Sequence, residues 1–183
     1  LHGKVKFRDL FVGTTIERVI RKGHRPVLMV KEKAIIPYDS VLSPVDFAPA
    51  SRAALRLALD LCPKANFNIL HTFTIPTAYP TTVQYAIQIN DNTEKTHQKA
   101  MIAFLHTEES HYKKEHGGKV KKFKTQVLEG HPYNAILKQV KNNKTNLITI
   151  GAHGKSIMTP SKLGGVAEDI LASPPCDVLV VKE

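Results

Sequence analysis

Residues 146–181 read "NLITIGAHGKSIMTPSKLGGVAEDILASPPCDVLVV". This stretch has the pattern of a strand, a glycine-rich loop, a helix and a second strand, in that order. The apolar runs Asn146–Gly151 and Asp177–Val181 are typical of buried strands, and a helix is predicted between them from about Gly165 to Ala172. Two strands joined through a helix pair in parallel, with a right-handed crossover. The stretch therefore predicts an α/β fold built on a parallel sheet.

The chain from about Ala34 onward alternates strands and helices in the same way. The predicted elements are, in order, the strand Ser40–Val45, the helix Ser51–Cys62 with Ser51 as its cap, the strand Phe67–Phe73, the helix Thr93–Glu115, a lysine-rich strand within Gly118–Val127, the helix Pro132–Asn142, and the three elements of the quoted stretch. Short loops between alternating elements place helices on both faces of a sheet. We predict a doubly wound five-stranded parallel sheet in the order 3-2-1-4-5.

Two features meet where this strand order reverses, between the first and fourth strands. Asp46 follows the first strand, and Gly151 ends the fourth and begins the loop that runs to Val166. Doubly wound sheets bind ligands at this place, beyond the carboxyl ends of the strands. The loop is not a P-loop, because Thr149 stands where that motif needs its first glycine.

The composition sets limits on class and location. At 183 residues, with 42% hydrophobic and 23% charged residues, the chain is expected to form one sizeable core. No apolar run approaches the roughly 20 residues that span a bilayer, so no membrane partner is expected. Cys62 and Cys176 lack CxxC spacing, which fits a reducing compartment, and we expect a cytoplasmic protein.

The net charge of +10 favours an anionic partner. Much of this charge lies within Gly118–Val127, at Lys119, Lys121, Lys122 and Lys124. Two interpretations stay open: the lysines guard an edge strand against pairing, or they form a polyanion site. Nucleic acid is disfavoured as a partner, because the charge comes without a row of base-stacking aromatic residues.

An internal repeat defines the domain organisation. Residues 2–32 align without a gap over residues 153–183, so we expect residues 1–33 to be the C-terminal remnant (loop, helix and last strand) of a first domain. Most of that first domain is then expected outside this chain, and residues 34–183 form a complete second domain. The last strand, Val178–Val181, and its copy, Val27–Val30, are both apolar. We expect these two strands to pair, or a second subunit to pair in the same way.

The segments "SPVDFAPASRAALRLALDL", "EGHPYNAIL", "NLITIGAHGKS" and "GGVAEDILASPPCDVLVV" resemble the universal stress protein family over essentially all of residues 34–183. Residues 2–32 resemble the tail of another such domain, so the parent protein resembles a tandem member. This resemblance implies an adenine-nucleotide alpha hydrolase-like fold. ATP-binding members carry glycine, two residues, glycine, nine residues, glycine, and then serine or threonine. Gly151, Gly154 and Gly164 match this spacing, but Gly165 stands where the hydroxyl residue is expected.

The resemblance also implies a set of site residues. Asp46 corresponds to the acidic residue beside the nucleoside, the backbone at Thr72 to the position that reads the adenine edge, and the glycine segments to the phosphate loop. The full set is Pro44, Val45, Asp46, Thr72, Gly151, His153, Gly154, Gly164, Gly165 and Val166, with Gly3, Gly13 and Thr14 in the loop of the remnant. Lys155 and Lys162 could meet phosphates or solvent. Without a ligand, Asp46 would serve as a turn cap and the glycines as sites of tight turns or close backbone approach.

The leading hypothesis is a stress-response regulatory protein that binds an adenine nucleotide of the ATP type as a conformational ligand, with Mg²⁺ able to accompany it. The hydroxyl lost at Gly165 would weaken binding by roughly 1.5–3 kcal/mol without abolishing it. The alternative is a degenerate member acting as a dimerisation or interaction module. His106, His111 and His116 lie five residues apart, which spreads them around a helix rather than forming a metal site. No catalytic residue is predicted, and slow ATP hydrolysis is the mildest enzymatic form considered.

Overall fold

The computed structural model describes residues 16, 18–31, 37–75, 83–119, 121–154 and 163–182, with the backbone alone for residues 83–90. Residues 18–22 are helical. The strands are β1 (Val27–Met29), β2 (Ser40–Pro44), β3 (Asn66–Phe73), β4 (Lys124–Glu129), β5 (Leu147–Gly151) and β6 (Asp177–Val181). The longer helices are α1 (Pro49–Leu61), α2 (Val83–Glu115), α3 (Pro132–Asn143) and α4 (Gly165–Ala172).

The strands form one sheet in the order β1-β6-β5-β2-β3-β4. The pairs β3–β4, β2–β3, β2–β5 and β5–β6 are parallel, so the predicted order of five strands is confirmed for β4-β3-β2-β5-β6. β1 adds a sixth, antiparallel strand to the five parallel strands predicted for residues 34–183. β6 would otherwise leave an apolar edge strand unpaired.

β1 covers that edge over three residues. Val27 lies opposite Val180, and Met29 lies opposite Val178. The predicted pairing between these two apolar segments is therefore present within the chain. The lysine-rich strand β4 lies at the other edge of the sheet, as the guard interpretation of its lysines requires.

Two of the longer helices cover each face of the sheet, and the short helix at residues 18–22 adds Ile20 to the face under α3 and α4. Alternate residues of one strand enter different cores: Leu147 packs in a cluster with Leu55 of α1 and Phe104 of α2, whereas Ile148 packs with Ile136 of α3 and Ile170 of α4. This alternation follows from the period of two in a strand, and it explains why β5 is buried on both faces, with Leu147, Ile148 and Ile150 apolar and Thr149 as the polar exception.

Two helix starts differ from the sequence-based predictions. α2 begins at Val83 rather than Thr93, since residues 83–92 contain no proline or glycine that would end a helix. α1 begins at Pro49 with Ala48 as N-cap, so Ser51 is not the cap. Proline suits the first helical position because its missing N–H would have no intrahelical partner there. No helix in the described ranges is both long and apolar enough to cross a membrane.

Candidate functional site

A cavity of about 330 Å³ opens at the carboxyl ends of β2 and β5, where the strand order reverses. All ten residues predicted from the family resemblance for the complete domain line it. The structure adds six more lining residues that the sequence did not indicate: Ser51, Leu70, Pro132, Ile136, Ile150 and Ala167. The structure thus brings the ten residues together, and their role in binding stays a prediction.

The six added residues come from helix starts and from the cores beneath the cavity. Leu70, Ile136 and Ile150 belong to the core under α3 and α4, and their side chains make the floor of the cavity apolar. Pro132 begins α3, which follows β4 after a short connection. Strand periodicity could have identified Ile150 as core-facing, but no local signal shows that the cavity reaches down to it.

Asp46 forms one wall, and its carboxylate is held by the start of α1. Oδ1 accepts hydrogen bonds from the backbone N–H of Ala48 at 3.0 Å and from the hydroxyl of Ser51 at 2.8 Å. The Ser51 hydroxyl also lies 3.0 Å from the Ala48 carbonyl oxygen. Asp46 therefore does serve in a turn, as the ligand-free interpretation expected, and its carboxylate is oriented by that turn at the cavity wall.

The residue after Asp46 is backbone-strained and anchored by aromatic packing. Phe47 has φ of +65°, a conformation that is uncommon for a bulky residue. Its ring lies 4.2 Å from the ring of His71 and 5.5 Å from that of Phe104, centroid to centroid. Packing of this ring against two others offsets the backbone strain and fixes the direction in which the chain leaves β2.

Buried His71 supports the end of β2 from the neighbouring strand. Its Nδ1 lies 2.7 Å from the carbonyl oxygen of Val45, and because a carbonyl oxygen only accepts, Nδ1 carries the hydrogen. Its Nε2 lies 2.8 Å from Nδ1 of His97, whose ring stacks on Phe73. The cavity wall at Val45 is therefore held by a side-chain bond in addition to the sheet ladder.

Two glycines are required by close approach. A Cβ at Gly151 would lie 2.7 Å from the backbone nitrogen of Ser51, and a Cβ at Gly154 would lie 2.8 Å from Oδ2 of Asp46. Neither has positive φ, so the need is for space rather than for a left-handed turn. A Cβ at Gly165, by contrast, would meet no heavy atom of the described residues within 4 Å. The position that departs from the family's pattern is thus open to a side chain.

The start of α4 completes the opposite wall. Gly164 is the N-cap without a side-chain hydrogen bond, and its N–H donates to the Ala152 carbonyl oxygen at 2.8 Å. The backbone N–H groups in the first turn of a helix have no intrahelical acceptor, and the helix dipole adds partial positive charge there. Gly165, Val166 and Ala167, which form this turn, all line the cavity. This wall is suited to an anion.

His153 contributes polar atoms without partners. Both of its ring nitrogens are buried, and neither has a hydrogen-bond partner among the residues that the structure describes. A buried polar atom without a partner costs free energy that a ligand or water would recover. His153 lines the cavity between Gly151 and Gly154, so such a partner would sit inside the cavity.

Several predicted residues lie outside the described part of the chain. These are Gly3, Gly13 and Thr14 of the remnant's loop, and Lys155 and Lys162 of the complete domain's loop. Among the described residues, no group of three or more histidine, cysteine, aspartate or glutamate side chains could hold a metal ion. His116 is placed instead beside Asp60, with Nε2 at 3.3 Å from the carboxylate.

Comparison with known proteins extends over most of the chain. Residues 37–182 match the model of the universal stress protein family. A curated relative, universal stress protein MJ0531 of Methanocaldococcus jannaschii, is 40% identical over 62 residues, which are 34% of this chain and 36% of the relative. The chain thus aligns with about a third of that relative's length.

Solved structures share the fold. Universal stress protein UspA from Lactobacillus plantarum has a TM-score of 0.62 at 22% identity, covering 80% of this chain and 99% of its own. A universal stress protein in complex with cAMP has a TM-score of 0.53 at 19% identity, covering 79% of this chain and 97% of its own. At these identities the likeness shows the fold alone. Because the family model spans the whole unit from before β2 to the end of β6, including every described residue of the cavity, the chain belongs to the universal stress protein family.

Proposed function

We propose that this chain is a regulatory stress-response protein that binds an adenine nucleotide of the ATP type in the cavity between β2 and β5. The proposal rests on one observation: two walls of different hydrogen-bonding character face each other across the apolar floor of the cavity. Asp46 offers hydrogen-bond acceptors on one side, and the first turn of α4 offers backbone donors on the other. A nucleotide has the matching parts, since ribose hydroxyls donate and phosphates accept.

The orientation of the ligand follows from charge. A phosphate would be repelled by the carboxylate of Asp46, so the ribose hydroxyls belong at Asp46 and the phosphates at the other end. Gly164 and Gly165 stand at the start of α4, where anions are favoured, whereas Gly154 approaches Oδ2 of Asp46 and so lies at the ribose end. The base would then lie over Val45 and Ile150, with the backbone of Thr72 at its edge.

His153 supports such a ligand. Its ring nitrogens are buried without partners among the described residues, and one of them in its N–H form would donate to a phosphate oxygen. The solved family member in complex with cAMP supports a cyclic or linear adenine nucleotide as the class to test. Mg²⁺, where it accompanies ATP, is assigned to the phosphates, since the described residues supply no cluster of three ligands.

A conformational role requires no acid or base. The nucleotide would bridge the ends of β2 and β5 to the start of α4. A ligand that binds one conformation of this surface better than another raises the population of that conformation, and so changes the surface that a partner protein contacts. Slow hydrolysis of bound ATP is tested in the same experiment, by measuring the inorganic phosphate released during the binding assay.

A second function is favoured by one observation, the glycine at position 165. In this alternative the cavity is degenerate, and the protein acts through association, with the edge strand β1, which pairs with β6 inside the chain, as the contact. We also propose that residues 1–33 belong to a first domain whose last strand is β1, and that the working protein is cytoplasmic. The free thiols of Cys62 and Cys176 support a reducing compartment.

Calorimetric titration of ATP, AMP and cAMP into the whole chain tests the proposal. Asp46→Asn keeps the size of the side chain but removes its charge, and it is expected to weaken binding about tenfold or more, since hydrogen bonds to a charged group contribute about 1.5–3 kcal/mol. Asp91→Asn, at an exposed position on α2, is the matched control and should bind as the unchanged protein does. Absence of heat with all three nucleotides would overturn the proposal and favour the association module.

A further inference from the structure

A second concave site lies at the opposite end of the sheet. A groove of about 910 Å³ opens at the amino ends of β2, β3 and β4, away from the nucleotide cavity at the carboxyl ends. We call it the lysine groove, because it is lined by five lysines: Lys64, Lys121, Lys122, Lys124 and Lys144. The acidic residue that lines it is Asp39.

The fold assembles these lysines from separate segments. Lys64 comes from the connection between α1 and β3, Lys122 and Lys124 from the approach to β4 and its first residue, and Lys144 from the left-handed C-cap of α3. Hydrogen bonds fasten these segments together. The Asn66 N–H donates to the Asp39 carbonyl oxygen at 2.8 Å, and the Ser40 hydroxyl donates to the Asn143 carbonyl oxygen at 3.0 Å.

Lys121 has a structural role beneath the groove. Its ammonium donates to the carbonyl oxygens of Pro63 at 2.8 Å and Ala65 at 2.7 Å, and it lies 5.1 Å from the ring centroid of Phe67. Burial lowers the pKa of this ammonium. Because its ammonium donates two hydrogen bonds to carbonyl oxygens, Lys121 ties β4's approach to the α1–β3 connection and holds the groove's shape.

The other four lysines are exposed and carry their charge into the groove. In the part of the chain that the structure describes, no ion pair engages Lys64, Lys122, Lys124 or Lys144. The Asp39 carboxylate, whose Oδ1 accepts a hydrogen bond from the Asn146 amide at 2.7 Å, forms none of the ion pairs among the described residues and sets one negative charge against four positive ones. Like charges held close together cost free energy, which an anion between them would recover.

Protection of a sheet edge explains only part of this arrangement. Lys122 and Lys124 flank the edge strand β4 and serve as guards against pairing. Lys64 and Lys144 lie on connections, where there is no strand edge to guard. Their position around the same groove therefore needs a different reason, and a ligand that spans several ammonium groups supplies it.

We propose that the lysine groove binds a linear phosphate polymer, inorganic polyphosphate, through repeated charge. The groove exceeds what one phosphate fills, and its four exposed ammonium groups suit an extended polyanion. Bases would find no platform there, because the ring of Phe67 is buried and that of Phe123 packs against the core. This site is separate from the nucleotide cavity and does not depend on the function proposed for it.

The test is titration of fluorescently labelled inorganic polyphosphate into the whole chain, followed by anisotropy at several salt concentrations. A variant with Lys64→Gln, Lys122→Gln and Lys124→Gln is compared with a charge-matched control, Lys95→Gln, Lys99→Gln and Lys113→Gln, whose positions are exposed on α2. The groove variant should bind at least about tenfold more weakly, and the slope of log affinity against log salt should fall by about 2, at about 0.7 per lost phosphate contact.

Other outcomes decide against the proposal. An equal loss of polyphosphate affinity in the α2 control variant would show that binding depends on net charge rather than on the groove. Displacement of polyphosphate by saturating ATP would show that the polymer binds in the nucleotide cavity instead of the groove. Tighter binding of a single-stranded oligonucleotide of equal charge would show that bases are recognised. Lys144→Gln alone, which should weaken binding severalfold, keeps the test valid if the triple variant is poorly folded.

Discussion

Substitution of Gly165 by serine isolates the one position at which the cavity departs from the family's ATP-binding pattern. A Cβ at this position meets no heavy atom of the described residues within 4 Å, and the residue is the first of α4 after its N-cap. Serine therefore enters without displacing a neighbour. Its hydroxyl would stand at the wall that is assigned to the phosphates.

The expected gain follows from one added hydrogen bond. A hydrogen bond to a charged group contributes about 1.5–3 kcal/mol, and fixing the serine rotamer costs about 0.5 kcal/mol. The net gain of about 1–2.5 kcal/mol corresponds to roughly 5- to 70-fold tighter binding. Stability should rise by only about 0.4 kcal/mol, because serine is a modestly better helix former than glycine.

Calorimetry with ATP and with adenosine separates the hydroxyl's contact from general effects. Gly165→Ser should increase the affinity for ATP and leave the affinity for adenosine unchanged, because adenosine has no phosphate at that wall. Gly165→Ala tests whether stiffening of the helix start is enough, and we expect it to match the unchanged protein within about twofold, since it adds no donor. Equal tightening of adenosine, or an equal gain in the alanine variant, would refute the assignment of this wall to the phosphates.

Three further predictions concern stability and the thiol. Glu108→Gln should lower the free energy of unfolding in urea by about 2–4 kcal/mol, because the fully buried carboxylate is bonded by two arginines, and exposed Glu109→Gln should not change it. Gly151→Ala should cost about 1–3 kcal/mol in the same assay, since its Cβ would lie 2.7 Å from the Ser51 nitrogen; an unchanged midpoint would contradict this packing. Burial raises the pKa of Cys176 to about 12, so the folded state holds this proton more tightly than the unfolded chain does. The stability associated with that thiol should therefore decline as pH rises from about 9 towards 12, and Cys176→Ser should remove this part of the alkaline slope in urea titrations.

The ends of secondary structure elements show where local signals are sufficient. α3 and α4 begin at Pro132 and Gly165 as predicted, because proline and glycine act through their own backbone geometry. α2 begins at Val83, ten residues before the predicted start, because nothing in residues 83–92 breaks a helix, although Asn90, Asp91 and Asn92 are of types common in loops. Local polarity is a weak signal for an exposed helix, since loops and helix surfaces share it.

In the candidate site, too, some features could be predicted from the sequence and others could not. The glycine spacing and Asp46 were visible in the sequence, and strand order placed them at one crevice because βαβ units have a fixed hand. The depth of the cavity was not visible, since Leu70 and Ile136 have the same spacing as any core residues. Nor did the sequence show that Ser51 holds the Asp46 carboxylate rather than capping α1.

The sequence by itself determined the alternation of strands and helices, the parallel order of five strands, the apolar edge that β6 presents, and the glycines where the chain must approach a neighbour closely. Those properties arise from side-chain period, backbone freedom and crossover handedness, which act over a few residues or one βαβ unit. Only the tertiary structure decided that β1 lies antiparallel on β6, that a histidine from β3 supports Val45, and that lysines from three connections surround one groove. These depend on contacts between residues far apart in the chain, and such contacts are set by the packing of the whole core.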